Sequence, residues 1–195
     1  MYKFIAGLVN VILKTNGAKA KVYGTENLPE EGGFVIACTH NGYVDILNLG
    51  VSVLPREIHF MAKKQLFEIK GLGWLIDKLN AFPVDRENPG PSVIKIPRQL
   101  IKDGKIVGIF PSGTRSTENT DLKQGAVTIA QLSKAQIVPA AYIGPKDVKG
   151  VFKREKAKLV YGKPFNVESG KEAREAAMHY LEAELDRLLE ELQAK

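Results

Sequence analysis

Short apolar runs bounded by glycine, proline and polar residues alternate along the chain with longer stretches whose apolar residues recur every three or four positions. Runs of the first kind predict strands over Ala20 to Tyr23, Phe34 to Cys38, Ile58 to Met61, Ala81 to Val84, Ile106 to Phe110, Ile137 to Ile143 and Lys158 to Tyr161. Stretches of the second kind predict helices over Val44 to Val53, Lys63 to Leu79 with a break near Gly71 and Gly73, Pro91 to Lys102, and Gly125 to Ser133. A last helix starts after Ser169 and runs to Gln193, with Ala177, Leu181, Leu185, Leu188 and Leu192 forming one apolar stripe for core packing. Strands interleaved with helices point to an α/β fold, a single domain with a mixed central sheet flanked by helices.

The first residues follow another pattern. Phe4 to Leu13 is apolar except for Asn10, yet this run of ten is about half of the roughly 20 residues that cross a bilayer. No small-residue cleavage pattern follows it at "KTNGAKAK". Residues 1–16 are therefore expected to form an amphipathic helix lying at a membrane interface, with packing on the domain as the competing use of the same pattern. Residues 17–195 form the domain proper.

Composition supports one full core: 195 residues suit a single domain, and 44% of them are hydrophobic. The one cysteine, Cys38, excludes an intramolecular disulfide and is expected to be a small buried apolar residue. The net charge of +6 is unevenly spread. Four lysines and no acid occupy the first 25 residues, nine bases against two acids lie between Lys123 and Lys163, and eight acids against four bases lie between Val167 and Lys195. Such patches suit anionic partners: lipid head groups, phosphorylated metabolites or an acidic carrier protein. Nucleic acid is not expected, because stacking aromatics interleaved with the basic stretch are few. The three histidines form no metal-ligand cluster, His59 and His179 falling on a strand and a helix as structural residues, so neither a metal nor an organic cofactor is expected.

The chemistry concentrates where "FVIAC" hands over to "THNGYVDILNLG". His40 and Asp45 are five residues apart, about 140° on a regular helix, so only a loop can bring them together. With His40 in the turn and Asp45 in the first helical turn, the carboxylate can accept from Nδ1, fixing the tautomer and leaving Nε2 as a base. A histidine capping the helix beside an unrelated aspartate is the alternative. A second stretch, "GIFPSGTRSTE", has the glycine spacing of a phosphate loop, but Thr114 and Arg115 stand where that loop needs lysine and a hydroxyl residue. It is no nucleophile elbow either, since Phe110 and Thr114 occupy the positions where glycines belong around Ser112. What remains is a strand end and turn that offers Arg115 and backbone amides to an anion, with Gly113 permitting an unusual backbone.

"HNGYVD" resembles the His-x4-Asp motif of the glycerolipid acyltransferases, and "NAFPVDR" (Asn80 to Arg86), "IFPSGTRS" (Ile109 to Ser116) and "IVPAAYIG" (Ile137 to Gly144) resemble that family's other blocks, in order. The resemblance implies transfer of a fatty acyl group from an acyl thioester, acyl-CoA or an acylated carrier protein, to the free hydroxyl of lysophosphatidic acid, giving phosphatidic acid in phospholipid biosynthesis. It implies His40 as the base that activates the hydroxyl and Asp45 as its partner, with no protein nucleophile. Arg86 and Arg115 are implied as phosphate contacts, with Ser112, Gly113, Thr114 and Pro139 shaping the acceptor site, Pro139 near a strand end; Lys63, Lys64 and Lys123 would add positive potential. It further implies a peripheral enzyme on the cytoplasmic face of an anionic membrane. Ser112 departs from the family, whose block reads Phe-Pro-Glu-Gly-Thr-Arg, and this leaves acceptor identity open: another lysophospholipid or glycerol phosphate, or hydrolysis by a Ser112 nucleophile, are the alternatives.

Overall fold

A computed structural model describes residues 1–85, 90–112 and 118–195, with side chains for all of these except 112 and 118–122. Every run of the first kind becomes a strand: β1 Lys21–Tyr23, β2 Phe34–Thr39, β3 Ile58–Lys63, β4 Phe82–Val84, β5 Ile106–Ser112, β6 Ile137–Ile143 and β7 Lys158–Tyr161. The helices are α1 Tyr2–Thr15, α2 Val44–Ser52, α3 Lys64–Glu68, α4 Leu72–Lys78, α5 Ser92–Lys102, α6 Glu118–Ser133, α7 Val148–Phe152 and α8 Lys171–Ala194. Two helices depart from expectation. β3 takes Lys63, leaving Lys64 to open a short α3 that stops before Gly71 (φ +84°), and α6 begins seven residues ahead of Gly125. One helix, α7, was not expected at all.

The sheet runs β1-β7-β6-β2-β5-β3-β4. β2 pairs in parallel with β5 and β6, and β3 pairs in parallel with β5 and β4, whereas β7 runs antiparallel to β6 and carries β1 with it. The sheet is thus mixed: five parallel strands centred on β2 and β5, and a reversed pair at one edge. β2 is buried along its whole length, which explains why "FVIACT" reads as a continuous apolar run instead of alternating.

Side chains of alternate positions feed two cores. Val35, Ala37, Val107 and Ile109 meet α5, α6 and the Leu181 and Leu185 stripe of α8 on one face. Phe34, Ile36, Cys38, Phe60 and Tyr142 meet Leu49 and Val53 of α2 on the other. α1 covers α2 in turn, burying Tyr2, Ala6 and Leu13, with Leu13 in the same apolar cluster as Val44, Val51 and Val151. The opposite side of α1 stays bare: Phe4 is 78% exposed, and Leu8, Val11 and Ile12 are exposed with it. One side of this helix therefore packs on the domain, as the second use required, and the other is left exposed.

Candidate active site

Five parallel strands deliver their carboxyl ends to one edge of the sheet, the place where open α/β sheets put their ligands. His40 follows β2, Lys63 ends β3, Asp85 follows β4, Ser112 ends β5 and Gly144 follows β6. Strand register sets Ser112 beside Thr39, so the end of β5 lies next to the residue that precedes His40. Arg86, Gly113, Thr114 and Arg115 lie outside the described residues, as does the side chain of Ser112; the chain enters both segments from this edge.

The turn between β2 and α2 brings His40 and Asp45 together. Asp45 is the second residue of α2, wholly buried, and its Oδ2 lies 3.1 Å from His40 Nδ1. The same oxygen accepts from the backbone amides of Asn41 at 2.6 Å and Gly42 at 3.0 Å, and Oδ1 accepts from Ile46 N at 2.7 Å. Four donors on a buried carboxylate compensate the cost of removing it from water, and a helix amino end favours its charge. An ionised carboxylate can only accept, so Nδ1 donates to it, and in the neutral imidazole that tautomer leaves the lone pair on Nε2. The histidine side chain is 33% exposed, leaving Nε2 free to meet a substrate.

A pedestal of aromatic rings holds the imidazole from below. The His40 ring lies 4.8 Å from that of Phe110, which stacks at 5.7 Å on Phe60. Phe60 can lie across β5 only because position 108 is glycine: a Cβ on Gly108 would stand 2.6 Å from the Phe60 ring. Gly42 has a matching part above. A Cβ there would stand 2.0 Å from the Lys146 carbonyl oxygen, which accepts from Tyr43 N at 2.8 Å and so ties the β2–α2 turn to the segment after β6.

Behind the dyad sits a polar brace that the sequence did not single out. Asn48, buried one turn after Asp45, accepts from Ala20 N at 2.7 Å and donates to Ala18 O at 3.1 Å and Val44 O at 3.2 Å. Its amide also reaches the Tyr142 hydroxyl at 3.4 Å, which donates to Pro145 O, while Tyr142 N donates to Thr39 Oγ1. The available signal was an asparagine on the apolar face of a helix, three residues beyond the motif aspartate. Burial, followed by the charge of Asp45, raises the pKa of the Cys38 thiol and of the Tyr142 hydroxyl, so both stay protonated and neutral.

Other expected residues fall elsewhere. Pro139 is the third of seven residues in β6, not near its end; it is buried, and its carbonyl accepts from Gly162 N. Lys63 and Lys64 are exposed on the carboxyl edge. Lys123 pairs with Glu182 of α8 and does not add free charge to the site. His59 is half-buried in β3, where burial lowers its proton affinity, and His179 is exposed on α8.

Comparison with known proteins gives a consistent picture. The family model described as Acyltransferase matches residues 19–143. A 1-acyl-sn-glycerol-3-phosphate acyltransferase of Bacillus subtilis is 59% identical over 166 residues, covering 85% of this chain and 83% of the relative. One from Streptococcus pneumoniae is 34% identical over 197 residues, covering 97% of this chain and 74% of the relative. The crystal structure of the 1-acyl-sn-glycerophosphate (LPA) acyltransferase PlsC of Thermotoga maritima superposes with a TM-score of 0.72 at 23% identity, covering 100% of this chain and 82% of that one; at this identity the match speaks for the fold.

Proposed function

This chain belongs to the acyltransferase family, and from that premise we propose that it moves a fatty acyl group from an acyl thioester to the free hydroxyl of 1-acylglycerol-3-phosphate, giving phosphatidic acid. One observation carries the mechanism: an exposed imidazole with its Nδ1 held 3.1 Å from a buried, fully bonded carboxylate, at the carboxyl edge of a central parallel strand. An alcohol is a poor nucleophile until a base takes its proton. His40 Nε2 takes that proton as the hydroxyl oxygen attacks the thioester carbonyl, and the imidazolium is stabilised by Asp45. Collapse of the tetrahedral intermediate breaks the carbon–sulfur bond, and the proton on Nε2 passes to the departing thiolate. The acceptor supplies the alcohol that a serine hydrolase would carry itself, so no acyl-enzyme forms.

Arg86 and Arg115 are proposed to hold the acceptor phosphate, since paired guanidinium groups match a dianion's oxygens. Support comes from the topology: the described residues just before them, Asp85 and Ser112, share one edge of the sheet with His40. Gly113, Thr114, Ser112 and Pro139 keep their proposed part in shaping that pocket. The donor is acyl-CoA or an acylated carrier protein. Incubating the pure protein with labelled acyl thioester and lysophosphatidic acid, then resolving the lipids, tests the reaction: labelled phosphatidic acid is expected, and free fatty acid alone would refute it.

Both lipid substrates and the bare side of α1 favour work at a bilayer. No helix among the described residues is long and apolar enough to cross a membrane. We place the protein peripherally on the cytoplasmic face, with Phe4, Leu8, Val11 and Ile12 against the lipid and Lys3 and Lys14 near anionic head groups. Phe4→Ser combined with Leu8→Ser is expected to lower partition onto anionic vesicles about tenfold with an unchanged melting temperature, because both side chains are exposed. Unchanged partition would remove α1 from the contact. Deleting the helix is the poorer test, since Tyr2, Ala6 and Leu13 are core residues.

A further inference from the structure

α7 has no part in the chemistry above, yet it stands beside the active site. Lys146 O accepts from Tyr43 N, so the segment leading into α7 is hydrogen-bonded to the turn that carries His40. Gly150 and Val151 face inward, Val151 in the cluster of Leu13 and Val44. The outward side is what a soluble helix would not choose: Val148 is 65% exposed and Phe152, one turn on, 74%, with Tyr43 also 74% exposed. Lysines 146, 149 and 153, all exposed, flank Val148 and Phe152 along the chain; of the two acids beside the helix, Asp147 accepts from the amide of Gly150 and Glu155 folds back against Gly150.

We infer that α7, with Tyr43, is a second membrane-docking surface, separate from α1, which seats the active-site edge of the sheet on an anionic bilayer. Exposed aromatic and aliphatic tips ringed by lysines match the boundary between acyl chains and negatively charged head groups. An acidic protein surface would be met by the lysines alone and gives Phe152 nothing to enter. Two separated contacts, α1 and α7, fix an orientation as well as an affinity, so that His40 meets an acceptor hydroxyl while the acceptor's acyl chain stays in the lipid. The inference rests on the acceptor being a bilayer lipid, and its test is kept apart from that of the reaction.

Partition of the full chain onto vesicles of phosphatidylcholine and phosphatidylglycerol is measured for Val148→Ser with Phe152→Ser, and separately for Lys149→Glu with Lys153→Glu. The apolar pair is expected to lose about tenfold or more, and the lysine pair roughly fivefold for each charge removed. Turnover on a short-chain acceptor below its micelle concentration is expected to stay unchanged in both, which separates this proposal from failure of the catalytic one. Should the apolar pair fold poorly, the exposed lysine pair and a fluorescence measurement still decide: with Trp74→Phe as background, Phe152→Trp is expected to be quenched by brominated acyl chains. Unchanged partition in the lysine pair with no quenching would overturn the inference. Normal partition with selective loss of activity toward an acyl-carrier-protein donor would overturn it too, and make α7 a protein-docking face.

Discussion

Two turns leave adjacent parallel strands at the same edge of the sheet, one from β2 into α2 and one from β6 into α7, and they are built alike. Each has an aspartate whose carboxylate accepts backbone amides at a helix start, Asp45 from Asn41, Gly42 and Ile46, Asp147 from Gly150. Each has a glycine pressed against its neighbour, Gly42 against the Lys146 carbonyl and Gly150 against the Pro145 ring. They differ in burial. Asp45 is sealed from water and presents a histidine, whereas Asp147 is exposed and its helix presents Val148 and Phe152. On the proposed mechanism the same local device becomes catalytic where its charge is desolvated, because an electrostatic contact strengthens as water is excluded.

Substituting the two aspartates in parallel gives the largest contrast. Asp45→Asn puts an amide where four donors converge, misorients His40 and leaves buried groups unpaired; activity should fall by about 10²–10⁴-fold, as for His40→Ala, and stability by about 1–3 kcal/mol. Asp147→Asn exchanges two good N-cap residues, so its cost should stay within about 0.5 kcal/mol with normal turnover. Rates and thermal unfolding of all three variants check this. Comparable losses at 45 and 147, or near-normal turnover in folded His40→Ala, would erase the distinction between the turns.

Gly42→Ala asks whether the turns are also coupled. The added methyl would meet the Lys146 carbonyl at 2.0 Å, a backbone atom that cannot swing away. The β2–α2 turn must then move, and misplacing a base by an ångström can cost about 10²-fold in rate. A loss in turnover with acceptor affinity kept is expected. Full activity would mean that the segment after β6 does not position His40.

The proposed phosphate contacts, Arg86 and Arg115, sharpen the comparison. The strands that precede them in the chain, β4 and β5, lie across β2 from β6. Replacing either arginine by alanine should raise the acceptor's Michaelis constant about ten- to a hundredfold, with less effect on the thioester's, for loss of a charged hydrogen bond. Steady-state kinetics with each substrate varied separates the two. Selective weakening of the thioester would assign the arginines to the donor.

The two turns were unequally legible. A strand buried on both faces, such as β2, leaves a continuous apolar run, and all seven strands were found within two residues of their ends, the partly exposed β1 and β4 by their short length and flanking turn residues. His40 and Asp45 were visible because their chemistry needs fixed residue types at a fixed spacing. α7 was invisible: five residues are too few to show a helical period, and "VKGVF" between Gly144 and Lys158 reads as a loop. Asn48 and the Phe60–Phe110 pedestal were missed for a different reason. Their roles come from neighbours far along the chain, Ala18, Ala20 and Tyr142 for the first and Gly108 for the second, and a local pattern does not contain them.

The smallest expected effect lies at Ser112, at the end of β5. It closes β5 in register with Thr39, the residue before His40, so position alone would allow a nucleophile. A nucleophile and its base form one catalytic unit whose members fail together, and Ser112→Ala would then be as damaging as His40→Ala. If Ser112 only hydrogen-bonds or shapes the acceptor site, its loss should cost about 0.5–1.5 kcal/mol, up to roughly tenfold in rate. The smaller effect is expected, since His40 already has a substrate hydroxyl to activate and the glycines of a nucleophile elbow are absent at positions 110 and 114. Ser112→Glu, which restores the residue usual in the resembling block, should keep activity and change which acceptor head group is preferred. Acyl transfer and thioester hydrolysis are measured for the wild type and both variants, with mass spectrometry for acyl-serine. An acylated Ser112, or a folded Ser112→Ala protein that loses as much as His40→Ala, would replace direct transfer by a covalent route, and the β2–α2 turn would then share its catalytic role with the end of β5.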